Sequence, residues 1–349
     1  MIYWNQLFTQ LIHQERPHYW GNWTLSPALD PGAVGILDPQ SGEFTVLGLL
    51  SQFSLKEEAA SADWEIGSSD VSQHEATVAL EGTYFDPETG TKINAGVEAT
   101  WGFKKEKSLV SRFAVKSEKW LNDPGVVIQT GWNKLVTQAR ANGYGDGTNI
   151  EQGFCVVTRA IYADSGLNVG AEQKNSTFSI TGSTNGIHGM IQGKGKGSYL
   201  YTSQKSGFSC HKWPAEPNQL ANQSLPIAYT VASFEGQRII QNWIQRISSL
   251  QLHFNNKHNG TYLAHAKLTY DTQTEKDCKL SADIAGGSIQ SKTLPIDATN
   301  VRLSVTFTSS STKCPFKWQD PLAEWSSGER HIDIHGVWPG SPHCSEREG

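Results

Sequence analysis

The sequence predicts an α+β N-terminal domain built on a long, twisted antiparallel sheet (residues 1–240), followed by an all-β, sandwich-like C-terminal domain (residues 241–349). Three observations carry this. Residues 74–103 alternate apolar and polar side chains along two arms separated by a turn, the mark of a long hairpin. Helical spacing is confined to a few short stretches lying among extended ones. From about residue 248, short alternating strands recur with turn residues between them, as in a compact sandwich.

The elements follow in chain order. Trp4, Leu7, Phe8, Leu11 and Ile12 fall at i, i+3, i+4, i+7 and i+8, so residues 2–13 form an amphipathic helix. That helix either docks on the domain core or lies at a lipid interface, where Trp and Phe suit the headgroup boundary. The segment LDPGAVGILDPQSGEFTVLG reads as a small hairpin between Pro-containing turns.

In the main hairpin, Ala76, Val78, Leu80, Gly82 and Tyr84 alternate with polar neighbours on the first arm. On the second arm Ile93, Ala95, Val97, Ala99, Trp101 and Phe103 do the same, and Asp86-Pro87-Glu88-Thr89-Gly90 supplies the turn. The apolar face packs on a core or meets lipid; the alternation leaves both open. At the hairpin's root, Lys104, Lys105, Lys107, Arg112, Lys116 and Lys119 form the densest positive cluster in the chain. Such a run is either a solvated face or a contact for anionic headgroups.

Residues 130–145 are helical, with Trp132, Leu135, Val136 and Ala139 on one face, and residues 150–163 read as a buried central strand. A second extended region covers 167–201. Its arms include Phe178 and Ile180, then a glycine-alternating strand from Ile187 to Tyr199 containing Lys194 and Lys196. Residues 225–234 give another core strand. Ile239, Ile240, Trp243, Ile247 and Leu250 have helical spacing over 235–250, where the domain boundary falls. Ile239, Trp243 and Ile247 are expected to face the other domain.

Composition narrows the function. The chain has 349 residues, 18% of them charged, a net charge of -5 and 33 glycines. It lacks the basic excess of nucleic-acid binders, and no apolar run approaches a membrane-spanning helix. The first twenty residues lack a basic n-region and a cleavage site, so a cytoplasmic resting state is expected. The five cysteines (Cys155, Cys210, Cys278, Cys314, Cys344) have no metal-ligand spacing and read as reduced thiols, with Cys314 and Cys344 left open. Sequons at Asn22, Asn175, Asn222 and Asn259 carry little weight in an Asn-, Ser- and Thr-rich chain.

No phosphate-binding loop, nucleophile elbow or zinc-protease motif occurs. His331, Asp333 and His335 share one face of a strand, but the outer pair are too far apart to share a metal, so an exposed polar face is expected. No cofactor and no enzymatic activity are expected.

The strand order from about 150 to 231 resembles the N-terminal pore-forming domain of the gasdermins, in its more varied microbial form. The residues that carry the resemblance are FCVVTRAI (154–161), FSITG (178–182), the glycine-alternating GKGKG (193–197) and IAYTV (227–231). The N-terminal helix and the earlier hairpin fit the same order, while the sandwich-like C-terminal region departs from the helical inhibitory domain of animal members.

The resemblance implies a gasdermin-like α+β domain in a soluble, autoinhibited monomer. An activating protease releases it, copies homo-oligomerise into a transmembrane β-barrel, and lytic cell death follows. It implies membrane insertion by Val78, Leu80, Tyr84, Ile93, Val97, Trp101 and Phe103. It implies contacts with anionic membrane lipids by Trp4, Phe8, Lys104, Lys105, Lys107, Arg112, Lys116, Lys194 and Lys196. The 241–349 domain would regulate or target the pore. Arms of about ten residues match the ~9–11 that a barrel strand needs to cross a bilayer, and closure satisfies the edge groups that lipid cannot. The alternatives are a lectin-like carbohydrate- or lipid-binding protein, with Trp318, Trp325 and Trp338 stacking on sugars, a secreted aerolysin-like toxin, and a metal-dependent enzyme.

Overall fold

The computed structural model describes residues 3–60, 64–193, 196–205, 207–257 and 260–349. The chain divides into two compact units, Met1–Gly147 with Gly153–Val231, and Thr148–Gln152 with Ala232–Gly349.

The spine of the first unit is the strand Phe154–Ala171, apolar on both faces and buried along nearly all its length. Burial follows from neighbours on both edges. Its Gly166–Ala171 end pairs antiparallel with Phe208–Trp213 on one side and with Leu109–Leu121 on the other, and the core strand Leu225–Glu235 lies beside it. The ladder with Leu109–Leu121 breaks register between Tyr162 and Ser165. Just beyond, Gly166 has φ +149, and a Cβ there would stand 2.3 Å from the Arg112 carbonyl, so only glycine fits the bend.

The N-terminal helix, Trp4–Ile12, takes the docked option. Trp4 stacks on Trp23 at 5.5 Å, Phe8 meets Trp23 and Trp64 edge-on, and Thr9 accepts from the Gly21 amide. Phe8 is fully buried. In this conformation it cannot contact lipid, which corrects that assignment; Trp4 is half-buried against the same cluster.

A second sheet runs Tyr201–Lys205, Ser176–Gly182, Lys92–Phe103, Val71–Phe85, antiparallel throughout, with the first hairpin arm as its free edge. Its core face presents Val97, Ala99, Trp101, Phe103, Phe178 and Ile180 to Val110, Leu167, Val169 and Ala171.

Two expected elements differ. The glycine-alternating strand from Ile187 is a helix, Thr184–Gln192. Ile187 and Ile191 fit both a period of two and an i, i+4 stripe, and the Ser183 hydroxyl decides by capping the Gly186 amide at 3.0 Å. Ile187, Met190 and Ile191 then close the core beneath the hairpin sheet. The 235–250 stripe is not a helix either. Arg238–Ile240 folds back as a short strand on Ser233–Glu235, and turns follow.

In the second unit, two four-stranded sheets run Ile289–Leu294, Leu250–Asn255, Glu329–His335, His343–Glu348, and Cys278–Ile284, Ala264–Asp271, Thr299–Phe307, Ser310–Trp318. Among the described residues of this unit, the Leu250–Asn255 and Glu329–His335 neighbours run parallel and the other neighbours antiparallel. Alternate residues are buried, among them Leu252, Phe254, Ile332 and Ile334 on one sheet and Ala266, Leu268, Leu303 and Val305 on the other. Trp243 and Ile247 are buried inside this unit. Gln152 organises them: its amide oxygen accepts from Trp243 Nε1 (3.1 Å) and the Ile247 amide (2.6 Å), and its nitrogen donates to the Ile247 carbonyl (2.6 Å). Ile239 is half-buried.

Candidate functional site

The hairpin arms are Val71–Phe85 and Lys92–Phe103, of 15 and 12 residues. The turn is the expected one. The Asp86 carboxylate accepts from the Glu88 and Thr89 amides at 3.0 Å each, and the Gly90 amide closes onto the Asp86 carbonyl at 2.8 Å. Burial pushes the Asp86 carboxyl up, but hydrogen bonds from Ser183, Thr89 and Glu88 outweigh it and hold it below the usual carboxylate range.

The two arms are buried unequally. On the second arm Val97, Ala99, Trp101 and Phe103 are in the core, and Trp101 Nε1 donates to Gln73 on the opposite arm at 3.0 Å. The first arm is exposed or half-buried except for Leu80. The residues assigned to insertion therefore do not share one face of the folded hairpin. Gln73 pairs with Trp101, Glu75 with Ala99 and Thr77 with Val97, while Ala76 and Val78 lie opposite Glu98 and Gly96. Directly paired residues share a face. Val78 is thus on the face away from Val97 and Trp101, a correction to the one-sided reading. Tyr84 and Ile93, near the tip, do pair with each other.

The basic cluster divides. Lys104, Lys105 and Lys107 are exposed in the loop at the hairpin root, and Lys104 and Lys105 line an open cleft together with Glu106 and with Gln173 and Lys174 from the neighbouring 172–175 turn. Asp70 shapes this loop by accepting from the Lys105 amide (3.1 Å) and the Ser108 hydroxyl (2.5 Å). Arg112 is not part of it. Its guanidinium lies mostly buried, donates to the Ile66 carbonyl and sits 4.0 Å from Glu65, which removes it from the lipid-contacting set as folded. Lys116 pairs with Asp164 at 3.4 Å and shares a different cleft with Lys196 and Asn222. Lys119 lies over the Tyr162 ring. Lys194 lies outside the described residues, as does Asn259; Asn22 is buried, donating to the Ser26 and Pro226 carbonyls.

In the second unit, Trp318 and Trp325 are buried, so they present no sugar-stacking face; Trp338 is exposed beside Val337. His331 is brought not to His335 but to His253, whose ring it stacks on at 4.6 Å, and to Glu329. The three donor atoms lie within 4.8 Å of one another. Arg347 Nη2, however, donates to His331 Nδ1 at 3.2 Å, leaving that ring's proton on Nε2 and a fixed cation beside it. Burial, then Arg347 and His253, hold His331 below its ordinary pKa. Asp333 accepts from Asn255 and Arg347, and His335 stacks on His343. The arrangement is an ion-paired polar face. The Cys344 thiol is hydrogen-bonded to Cys314, and burial with that contact pushes its pKa up.

Among the described residues, no helix is long and apolar enough to cross a membrane. No protein-family model matches the chain, and no curated protein does. Among solved structures it is similar to wild-type pneumolysin, with 11% identity over 95% of this chain and 87% of that one and a TM-score of 0.26. It is also similar to disulfide-locked intermedilysin with human CD59 (8% identity, 95% and 86% covered, TM-score 0.23). A third is the membrane pore complex of pneumolysin (11% identity, 85% and 69% covered, TM-score 0.22).

Proposed function

We propose that this chain is a membrane pore-forming protein whose 71–103 hairpin leaves its sheet and joins the hairpins of other copies in a transmembrane β-barrel. The observation that supports it is the hairpin itself. Both arms exceed the ~9–11 residues a barrel strand needs, the first arm is a free sheet edge, and the second arm's apolar face is already assembled against a core. Exposing Val97, Trp101 and Phe103 to water costs about 1.5–3 kcal/mol each. Hydrocarbon in place of the core removes most of that cost, so the excursion is affordable only at a membrane. Lys104, Lys105 and Lys107, directly after Phe103, would then stand at anionic headgroups.

The finer parts of the reading rest on the gasdermin resemblance. They are a cytoplasmic resting state, restraint by the C-terminal unit, release by a protease, and lytic cell death rather than catalysis. The test is dye release from phosphatidylserine-containing vesicles by the full chain, before and after limited proteolysis. Leakage is expected after cleavage; none at micromolar protein with the fold intact would overturn the proposal.

A second reading, a carbohydrate- or lipid-binding module, is favoured by the exposed Val337–Trp338 pair. Glycan-array binding that is lost in Trp338→Ala, without any vesicle leakage, would select it.

A further inference from the structure

The hairpin ladder is not continuous. From Val71–Phe103 to Ala79–Ala95 the arms follow one register; at the tip, Tyr84–Ile93 and Phe85–Lys92 follow another, three residues offset. Leu80–Thr83 on the first arm face only Asn94 on the second. An odd offset exchanges the two faces, which is why the apolar sets of the two arms are divided in the folded protein.

Continuing the tip register down the hairpin without the offset gives a different molecule. Gly82 would pair with Ala95, Leu80 with Val97, Val78 with Ala99 and Ala76 with Trp101. The opposite face would hold Thr83 with Asn94, Ala79 with Glu98, Thr77 with Thr100 and Glu75 with Gly102. Between the Tyr84–Ile93 pair and the His74–Phe103 pair, every large apolar residue then lies on one side, with His74 at its root; Phe85 and Val71, at the ends of the first arm, lie on the other. The charged residues in this span, Glu75, Glu81 and Glu98, lie on the other.

We propose that the membrane form of the hairpin adopts this tip register along its whole length, presenting the one-sided apolar face to lipid hydrocarbon. The proposal rests on the pore-forming reading and adds the structural change it requires. The tip register is set locally, by the Asp86 turn and the Asp86–Thr91 backbone bond at 2.9 Å, so it needs nothing from the core. The root register is set by the core, which requires Val97, Ala99, Trp101 and Phe103 on the inner face. Once the second arm leaves that core, only the turn remains to choose. Hydrocarbon also selects against the offset, because an interrupted ladder leaves backbone groups without partners where no water can reach them. Removing the offset completes the ladder and aligns the apolar face in one step.

The test uses the full chain and cysteine pairs mapped by mass spectrometry of the cross-linked peptides. Ala76→Cys with Glu98→Cys reports the folded register; Ala79→Cys with Glu98→Cys reports the tip register. The first pair is expected to cross-link in solution, and oxidation should then lower leakage at least tenfold, reversibly with dithiothreitol. The second pair should cross-link only in phosphatidylserine vesicles. Independently, Ala79 and Ala95 are exposed and directly opposite in the folded register. Only Ala95 reaches the lipid face in the tip register. Ala95→Lys should therefore cut leakage tenfold or more, and Ala79→Lys, which faces Glu98 on the polar side of the tip register, should leave it within twofold. Leakage with the 76–98 pair still cross-linking in vesicles, or equal effects of the two lysines, overturns the register change and leaves the pore reading standing. No leakage from the folded wild-type chain, cut or uncut, overturns both.

Discussion

His188 Nε2 lies 3.3 Å from Glu75 Oε2, joining the helix beneath the hairpin sheet to the free first arm. Both side chains are roughly 30% exposed, so the pair is worth at most about 1 kcal/mol. Its position matters more than its strength, because the first arm has few other anchors toward the core. His188→Ala should raise amide exchange over 71–79 several-fold and leave the central strand, 154–171, unchanged. Exchange rising equally in both would mean that the pair supports the whole unit rather than the arm.

The Asp86 tip gives a pH dependence with a defined sign. Its folded pKa is below the ordinary 3.8, so its stabilising contribution is fully present above that value. The contribution is lost as pH falls below 3.8 through the depressed folded value. Amide exchange across 84–93 should increase between about pH 4 and 2, and Asp86→Asn should flatten that dependence. A wild-type tip equally protected across the range would remove the carboxylate from the account.

The root lysines should act as a group. Replacing Lys104, Lys105 and Lys107 by Gln is expected to weaken binding to phosphatidylserine vesicles by ~1 kcal/mol per charge brought to the surface, and wild-type binding should fall as salt rises. Arg112→Gln should instead lower the melting temperature, since its guanidinium is held inside the sheet. Binding indifferent to salt would make the root an ordinary solvated loop.

The alternation of residues 74–103 made both arms and their turn legible in the sequence, and it matched apolar to apolar across the pair. The folded hairpin does not use that match. The core fixes the second arm's orientation, and the three-residue offset absorbs the difference, a tertiary override with no local signal. The 184–192 helix was hidden because Ile187, Gly189 and Ile191 satisfy a strand period; the Ser183 cap was the available clue. The basic cluster looked continuous because sequence distance does not show that Arg112 points into the sheet. The 235–250 stripe named the right buried residues, Trp243 and Ile247, and the wrong element, because its partner Gln152 lies some ninety positions earlier.

That Gln152 side chain is a long-range staple, and its removal should be costly. Gln152→Leu keeps the volume but leaves the Trp243 indole and the Ile247 backbone groups without their buried partner, about 1–3 kcal/mol for each group left unsatisfied. Trp243→Ala removes a fully buried side chain, about 3–5 kcal/mol. In a melting curve that resolves the two units, both changes should lower the transition of the second. A Gln152→Leu protein melting like wild type would mean that other groups satisfy Trp243 and Ile247.

Gly82 lies within the offset at φ +128, and a Cβ there would meet the Tyr84 ring at 3.2 Å. A residue with a side chain in that backbone region is strained by about 1–3 kcal/mol. In the tip register the same position is an ordinary strand residue opposite Ala95, where a β-branched side chain is favourable. Gly82→Val therefore opposes one register and suits the other. It should lower the melting temperature of the soluble protein yet speed dye release from vesicles. Plain destabilisation could also speed release, so the comparison is with Val156→Ala, a core change in the central strand that does not touch the hairpin. The two variants should be compared at matched loss of stability. If Gly82→Val then releases dye no faster than Val156→Ala, the offset is not what keeps the hairpin in its soluble form.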